Sequence, residues 1–258
     1  MAPVYVDTHA HLYLSDFDHD REMVIETAIQ RGIEKILLPN IDSTSVGHLN
    51  QLVNQYPDVC LPMMGLHPTS VKENFTRELM LVEQEVNLRH YTAIGEIGID
   101  LHWQKDNLKE QSLAFAAQLD LSIQHQLPVA IHARESFSEI LDILEGYKGK
   151  GLAGVFHAFT GSAEIARKVT KMGFFLGIGG IVTYKNSTLP EVIQEISLRH
   201  LVLETDAPYL APIPFRGKRN ESGFIPYIAR AIQTIKNVPL EEVASVTTAN
   251  AHELFHLH

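Results

Sequence analysis

Short runs of Val, Ile, Leu and Phe alternate along this chain with longer stretches in which apolar residues recur at helical spacing. The runs are Val4–Val6, Lys35–Leu38, Cys60–Gly65, Thr92–Ile97, Pro128–Ile131, Ala153–Phe156, Phe174–Ile178 and Leu201–Leu203. Continuous apolar runs bounded by turn residues read as strands buried on both faces. Asp20–Arg31, Asn107–Gln126, Glu135–Leu144 and Ala163–Met172 read as helices, with Gly32 and Gly173 standing where two of them stop. Eight strands alternating with helices predict parallel strands joined by crossovers. Eight such units are what a closed (β/α)8 TIM barrel needs, so an α/β fold in one domain spanning residues 1–258 is expected. An open doubly wound sheet is the alternative, disfavoured because no Gly-rich phosphate turn follows the first run.

The polar residues that follow the runs carry the chemistry. The first run leads into Asp7-Thr8-His9-Ala10-His11, the third into Gly65-Leu66-His67-Pro68, and the fourth into Glu96-Ile97-Gly98-Ile99-Asp100. The fifth ends at His132, the sixth at His157 and the eighth at Glu204-Thr205-Asp206. In a barrel the C-terminal ends of all strands converge on one face. His9, His11, Glu96, His132, His157 and Asp206 are therefore expected to meet, although nearly 200 residues of sequence separate the first from the last. His-x-His on a strand sends both imidazoles to one side. Two imidazoles with two carboxylates make one divalent-metal site, and two further imidazoles make a second if one carboxylate bridges. Imidazole nitrogen and carboxylate oxygen suit Zn²⁺, Mn²⁺ or Fe²⁺ and tolerate Mg²⁺ when water fills the shell. Burying six such groups unpaired would be costly, which favours a metal over a set of ordinary core histidines.

Composition narrows the reading. The 258 residues include 14 His and a single cysteine, Cys60, with a formal net charge of −10. One cysteine forms no intrachain disulfide, so Cys60 is expected to be a core thiol. The start of the chain lacks a signal-peptide pattern and no run is long enough for a membrane span, so a cytoplasmic protein is expected. The acidic balance argues against a broad electrostatic grip on nucleic acid. Of the other histidines, His19, His48, His90, His125 and His200 read as helix-face residues, and His252, His256 and His258 as surface residues near the C-terminus. His102 lies in the loop after the fourth run. Trp103 beside it is either packed in that loop or a platform for a base or sugar.

The ordered motifs Asp7-Thr8-His9-Ala10-His11-Leu12, Gly65-Leu66-His67-Pro68, Gly95-Glu96-Ile97-Gly98-Ile99-Asp100, Ile131-His132-Ala133-Arg134-Glu135, Phe156-His157-Ala158-Phe159, Leu203-Glu204-Thr205-Asp206-Ala207-Pro208-Tyr209-Leu210 and Arg216-Gly217-Lys218-Arg219-Asn220-Glu221 resemble those of the TatD-type deoxyribonucleases. These are TIM-barrel members of the amidohydrolase superfamily. The resemblance spans nearly the whole chain, with Ala133 and Ala158 departing from the cysteine or serine often found there. It implies a metal-dependent hydrolase, most simply a deoxyribonuclease trimming strand ends in the 3′–5′ direction through a metal-activated water. It further implies two divalent ions (Mg²⁺, Zn²⁺, Mn²⁺ or Ni²⁺). The first would be held by His9, His11, Glu96 and Asp206, the second by Glu96, His132 and His157, with Glu96 bridging.

Asp206 is expected to orient the water or accept its proton. Glu204 either supports it or hydrogen-bonds inside the barrel. His67 either donates to a phosphate oxygen or holds a ligand in place. Arg134, Arg216, Lys218 and Arg219 are candidates for phosphate contacts, the last three in a loop after the eighth strand, where barrels often bind phosphate. A solvated loop is the plainer alternative. The expected partner is a nucleic-acid strand end, with no membrane and a monomeric chain. Two rival readings are a metallohydrolase of an ester or amide, such as an aminoacyl ester, and a non-catalytic metal or nucleic-acid binding module.

Overall fold

Each apolar run overlaps a strand: β1 (Tyr5–Asp7), β2 (Ile33–Pro39), β3 (Cys60–Met64), β4 (Ala93–Asp100), β5 (Val129–Arg134), β6 (Gly154–Phe156), β7 (Phe175–Ile178) and β8 (Leu201–Leu203). The computed structural model describes residues 3–103 and 105–257, so His258 lies outside the described residues. All eight strands pair in parallel, in chain order. The Thr8 N–H donates to the Leu203 carbonyl at 3.0 Å, and Ala10 bridges to Ala207, joining the last strand to the first. The chain thus forms a nearly closed (β/α)8 barrel.

The four helices named from the sequence are α1 (Arg21–Gln30), α4 (Leu108–His125), α5 (Phe137–Glu145) and α6 (Ala163–Lys171). The other crossovers are α2 (Val46–Gln55), α3 (Phe75–Leu88) and α7 (Leu189–Glu195), and α8 (Ile225–Lys236) and α9 (Leu240–Phe255) follow β8. Helix α5 starts two residues later than expected, because Glu135 sits at φ +56°, outside right-handed helical space. No helix among the described residues is long and apolar enough to cross a membrane.

Two apolar layers hold the barrel. The larger lies between sheet and helices and includes Ile36, Leu38, Phe115, Leu119, Phe156, Ile178 and Ile228. The smaller fills the barrel interior: Val6, Leu37, Met63, Ala93, Ala130, Val155 and Val202 meet Ala251, Leu254, Phe255 and Leu257 from α9 and the residues after it. Cys60 is buried in the larger layer, as expected of a core thiol.

The interior positions explain where the polar residues go. Strand side chains alternate with period 2, so the residue two beyond an interior one also faces inward. Two past Ala130, Val155 and Val202 stand His132, His157 and Glu204. In β4 the rule is offset by one. Ile94 pairs with Val129 and Ile97 with Ile131, so β4 advances three residues where β5 advances two. That bulge turns Glu96 inward, where strict alternation from Ala93 would present Gly95. Gly98, at φ +143°, cannot be replaced: a Cβ there would overlap the His132 carbonyl.

Candidate metal centre

The carboxylate of Glu96, 2% exposed, is the hub of the polar end. Its Oε2 lies 3.1 Å from His9 Nε2 and 3.5 Å from His11 Nε2. Its Oε1 lies 3.2 Å from His67 Nε2, 2.9 Å from His132 Nδ1 and 3.0 Å from His157 Nε2. Asp206 Oδ1 completes the first side, 3.7 Å from His11 Nε2 and 3.9 Å from His9 Nε2. Among the described residues, three groups have donor atoms close enough to hold an ion: His9, His11 and Asp206; His9, Glu96 and His157; and His67, Glu96 and His132.

The donor set fits divalent metals, and three features make the case. Two ligand atoms each about 2.1 Å from a shared ion, at tetrahedral or octahedral angles, sit roughly 3.0–3.5 Å apart. The spacings around Glu96 fall close to that range. Five imidazole nitrogens also crowd within 3.5 Å of the two oxygens of this one carboxylate.

The third feature is the tautomer that each ring's partners select. The Tyr13 hydroxyl donates to the Pro39 carbonyl at 2.6 Å, so its oxygen is left to accept from His11 Nδ1–H at 2.9 Å. Neutral His11 then aims the bare Nε2 lone pair at the oxygens of Glu96 and Asp206. Lone pair facing lone pair is repulsive unless a cation lies between them. His132 is arranged alike. Its Nε2 faces Asp100 Oδ2 at 2.9 Å, and the Asp100 carboxyl is held down to about 2, because hydrogen bonds from His132 and from the Trp103 and His102 backbone outweigh the opposing effect of burial. An ionised carboxylate only accepts, so the neutral His132 ring carries its proton on Nε2 and turns Nδ1 to Glu96; with no ion there, burial is outweighed by Asp100 and Glu96, which raise its pKa.

His67 is wired the other way. Its Nδ1 accepts from the Thr69 backbone N–H at 3.1 Å. In the neutral ring the proton is therefore on Nε2, which donates toward Glu96 Oε1. His67 is thereby marked as a hydrogen-bond donor within the cluster rather than a ligand, a distinction that spacing in the sequence could not make.

Without an ion, protons take the cation's place. Burial opposes charging His157, yet Glu96 and Glu204 raise its pKa well above the ordinary imidazole value. Burial pushes His9 well below it. For Glu96, burial raises the carboxyl but the surrounding His67, His157 and His9 hold it well below the usual range. Burial pushes Asp206 up to about 6, with His157 and His11 pulling the other way.

Glu204 is fully buried and takes the interior role left open above. Its Oε1 accepts from the Ala158 N–H and faces His157 Nδ1 at 3.4 Å. Gly177 leaves room for it, since a Cβ there would overlap its carboxylate. His9 and His11 lie just past the end of β1 rather than on it, held by the Ala10–Ala207 bridge. Ala158 and Asp206 have positive φ, +43° and +57°, the less common backbone that often accompanies functional strand ends.

A pocket of ≈ 580 Å³ opens over the cluster and is lined by His11, His67, Glu96, Asp100, His132, His157 and Asp206, with Trp103, Arg134 and Tyr209 toward solvent. The structure departs from the expectation for the loop after β8. Arg216, Lys218 and Arg219 do not line this pocket. Arg219 makes two 2.7 Å hydrogen bonds to Asp20 and a third, at 3.1 Å, to Glu221, and lies over Phe17. Its charge is neutralised within the chain. Arg216 lies over the Tyr184 ring and Lys218 is exposed. Two of the other histidines are tied more closely to the fold than their readings imply: His125, read as a helix-face residue, buries Nε2 with no hydrogen-bond partner among the described residues, and His252, read as a surface residue, pairs with Glu34.

Asp100, Tyr13 and Thr69 were not singled out from the sequence. Asp100 was legible in principle, four residues beyond Glu96 on the same strand face. Tyr13 and Thr69 act through contacts that no local pattern signals.

Comparison with known proteins agrees with this geometry. Residues 6–256 match the TatD related DNase family. A Bacillus subtilis protein, YabD, described as an uncharacterized metal-dependent hydrolase, is 38% identical over 253 residues, covering 98% of this chain and 99% of the relative. An Erwinia tasmaniensis protein named 3′-5′ ssDNA/RNA exonuclease TatD is 31% identical over 257 residues, covering 97% of this chain and 99% of that one. The crystal structure of YjjV, a TatD homolog from Escherichia coli K12, superposes with a TM-score of 0.93 at 28% identity, covering all of both chains. With the barrel, the convergent histidines and carboxylates, and a family match over almost its full length, the chain belongs to the TatD family of metal-dependent hydrolases.

Proposed function

We propose that the chain is a phosphodiesterase of the 3′–5′ exonuclease type, acting on single-stranded DNA or RNA ends with two divalent ions that would share Glu96 as a ligand. The observation that carries this reading is the split of the Glu96 carboxylate, Oε2 toward His9 and His11, Oε1 toward His132 and His157. His9, His11, Glu96 and Asp206 would hold one ion, and Glu96, His132 and His157 the other. When bound, the ions supply Lewis-acid stabilisation of phosphoryl charge and acidify water.

The remaining roles belong to side chains of the pocket. Asp206 lines the pocket beside the first ion site and would orient the attacking water or accept its proton. His67, donating through Nε2 to Glu96 Oε1, would hold that carboxylate in place. Glu204 and Asp100 orient the His157 and His132 rings. Arg134 is, among the described residues lining the pocket, the one with a permanent positive charge, and it is placed to pair with a phosphate. One such cation in a chain of net charge −10 supports a strand end over an internal duplex, which needs an extended basic track. The name of the Erwinia tasmaniensis relative points the same way.

The test is a 5′-labelled single-stranded oligonucleotide, run beside a panel of esters and amides. A ladder shortening from the 3′ end, abolished by chelator and by Asp206→Asn, supports the proposal. Turnover of an ester or amide with the oligonucleotide left intact overturns it.

A further inference from the structure

Trp103, the only tryptophan of the chain, is 68% exposed. It lines two concavities at once. One is the pocket over Glu96, His132 and Asp206. The other is an open groove of ≈ 780 Å³ bordered by Lys72, Phe75, Lys105 and Asp106, among others. The indole is therefore the ridge between the metal centre and a neighbouring channel, and anything that leaves the pocket toward the groove crosses it.

The ridge is held in place. Asp100 Oδ1 accepts the backbone N–H of Trp103 at 2.8 Å and of His102 at 2.9 Å, while its Oδ2 faces His132. The His102 ring meets the indole edge-on at 4.8 Å and itself contacts Glu135 at 2.7 Å. The Arg134 guanidinium, which lines the metal pocket and not the groove, lies over the indole 5.5 Å from the ring centre. One carboxylate thus ties the position of the indole to that of a candidate ligand. A large aromatic surface fixed at that place, and left open to solvent, is suited to stacking on a planar group.

We propose that the groove beyond Trp103 is a second binding subsite for single-stranded nucleic acid: with the 3′-terminal nucleotide in the metal pocket, the preceding base stacks on Trp103 and the following phosphates run past Lys72 and Lys105. This rests on the nuclease reading above and adds to it where the rest of the strand lies. Stacking is the main source of affinity, because Lys72 and Lys105 face Glu73, Asp106 and Glu110 in the same groove and leave no net positive charge. Lys105 is also within 3.6 Å of Glu135. With these two lysines and Arg134, at most three phosphates are neutralised, so log affinity falls with log salt at a slope no steeper than about −2. Every base has an aromatic face, so the subsite is tolerant of sequence.

The experiment uses the metal-loaded protein and phosphorothioate-linked oligodeoxythymidylates of one to six nucleotides, with emission from the single tryptophan as the direct readout. The tetramer is expected to quench the emission and the mononucleotide to leave it nearly unchanged, with affinity rising about tenfold once a second base can stack. For cleavable strands, KM falls with length in the parent protein. Trp103→Ala removes that length dependence, Trp103→Phe retains most of it, and Lys72→Glu weakens it at the longer lengths. The Lys72 variant keeps the test open should Trp103→Ala fail to fold. Cleavage of strands of every length with equal KM and unchanged emission overturns the subsite and leaves the nuclease reading standing. Turnover of an ester or amide with no oligonucleotide bound or cut overturns both.

Discussion

At one end of the barrel interior, Val6, Ala130, Val155 and Val202 close against Leu254, Phe255 and Leu257. Two residues further along three of the same strands, His132, His157 and Glu204 crowd the other end with Glu96, His9 and His11. Apart from the offset in β4 and the turn beyond β1, the two layers follow the same inward face and period, and they differ in side-chain chemistry. The apolar layer needs no further partner, since removing its surface from water is itself favourable. In the polar layer, burial works against the charged forms, pushing the Asp206 carboxyl up and the His9 imidazole down. Such a layer is stabilised only when something binds it, by an amount that grows with ligand concentration over Kd. Stability is thus concentrated at the α9 end, and binding capacity at the other.

This contrast is open to being broken. The largest effect is expected from Glu96→Ala, which removes the carboxylate common to both sides of the cluster. Bound metal measured after dialysis should fall to background and hydrolysis to the rate of the chelated protein. Full metal content in the variant would remove Glu96 from the ligand set.

Phe255→Ala attacks the opposite end. Emptying that position, 2% exposed, should cost ~3–5 kcal/mol. For a chain of this size that is a drop of roughly 6–20 °C in Tm. Metal bound per folded molecule should not change. If metal content falls in proportion to stability, the two ends are not separable.

Asp100→Asn sharpens the polar side. The amide oxygen can still accept the backbone N–H groups of His102 and Trp103, but the charge facing His132 Nε2–H is lost. Removing such a partner of a metal ligand reduces affinity or activity by roughly 10–100-fold. A metal titration that matches the parent protein would show that Asp100 serves only the loop.

The smallest effect concerns pH. The folded Asp206 carboxyl, raised to about 6 by burial, lies above its unfolded value of 3.8. The chelated folded protein therefore binds more protons than the unfolded chain across that interval. This group's contribution to stability is fully present below the unfolded value and is lost as pH rises through about 6. An ion competes with that proton, so metal binding tightens over the same rise. The gap in Tm between metal-loaded and chelated protein should widen from pH 5 to pH 7. A gap that narrows would take Asp206 out of the ligands.

Much of the barrel was legible because both of its signals are local. Apolar runs and strand-end polar residues can be read within a few positions of each other. The path from Val155 to His157 is visible in a tripeptide. The expectation for Arg219 shows where this stops. Arg216, Lys218 and Arg219 look like a phosphate loop in sequence, but Asp20 and Glu221 take up the Arg219 charge, and Asp20 comes from the other end of the chain. Asp100 went unremarked for a related reason. Its function depends on the register of β4 against β5 and on the backbone that turns back over its carboxylate.

By itself the sequence determined the eight-fold alternation, the inward period of the strands and the identity of the residues that can bind metal. These follow from short-range sterics and from side-chain chemistry, which are properties of a residue and its neighbours. Tertiary structure alone decided which nitrogen of three neutral imidazoles carries the proton. Tyr13 and Pro39 set it for His11, Thr69 for His67 and Asp100 for His132. It also decided that Trp103 stands between two cavities rather than beside one. The physical reason is the same in each case: a hydrogen bond or a cavity wall is a relation between groups in space, and the chain brings those groups together only by folding.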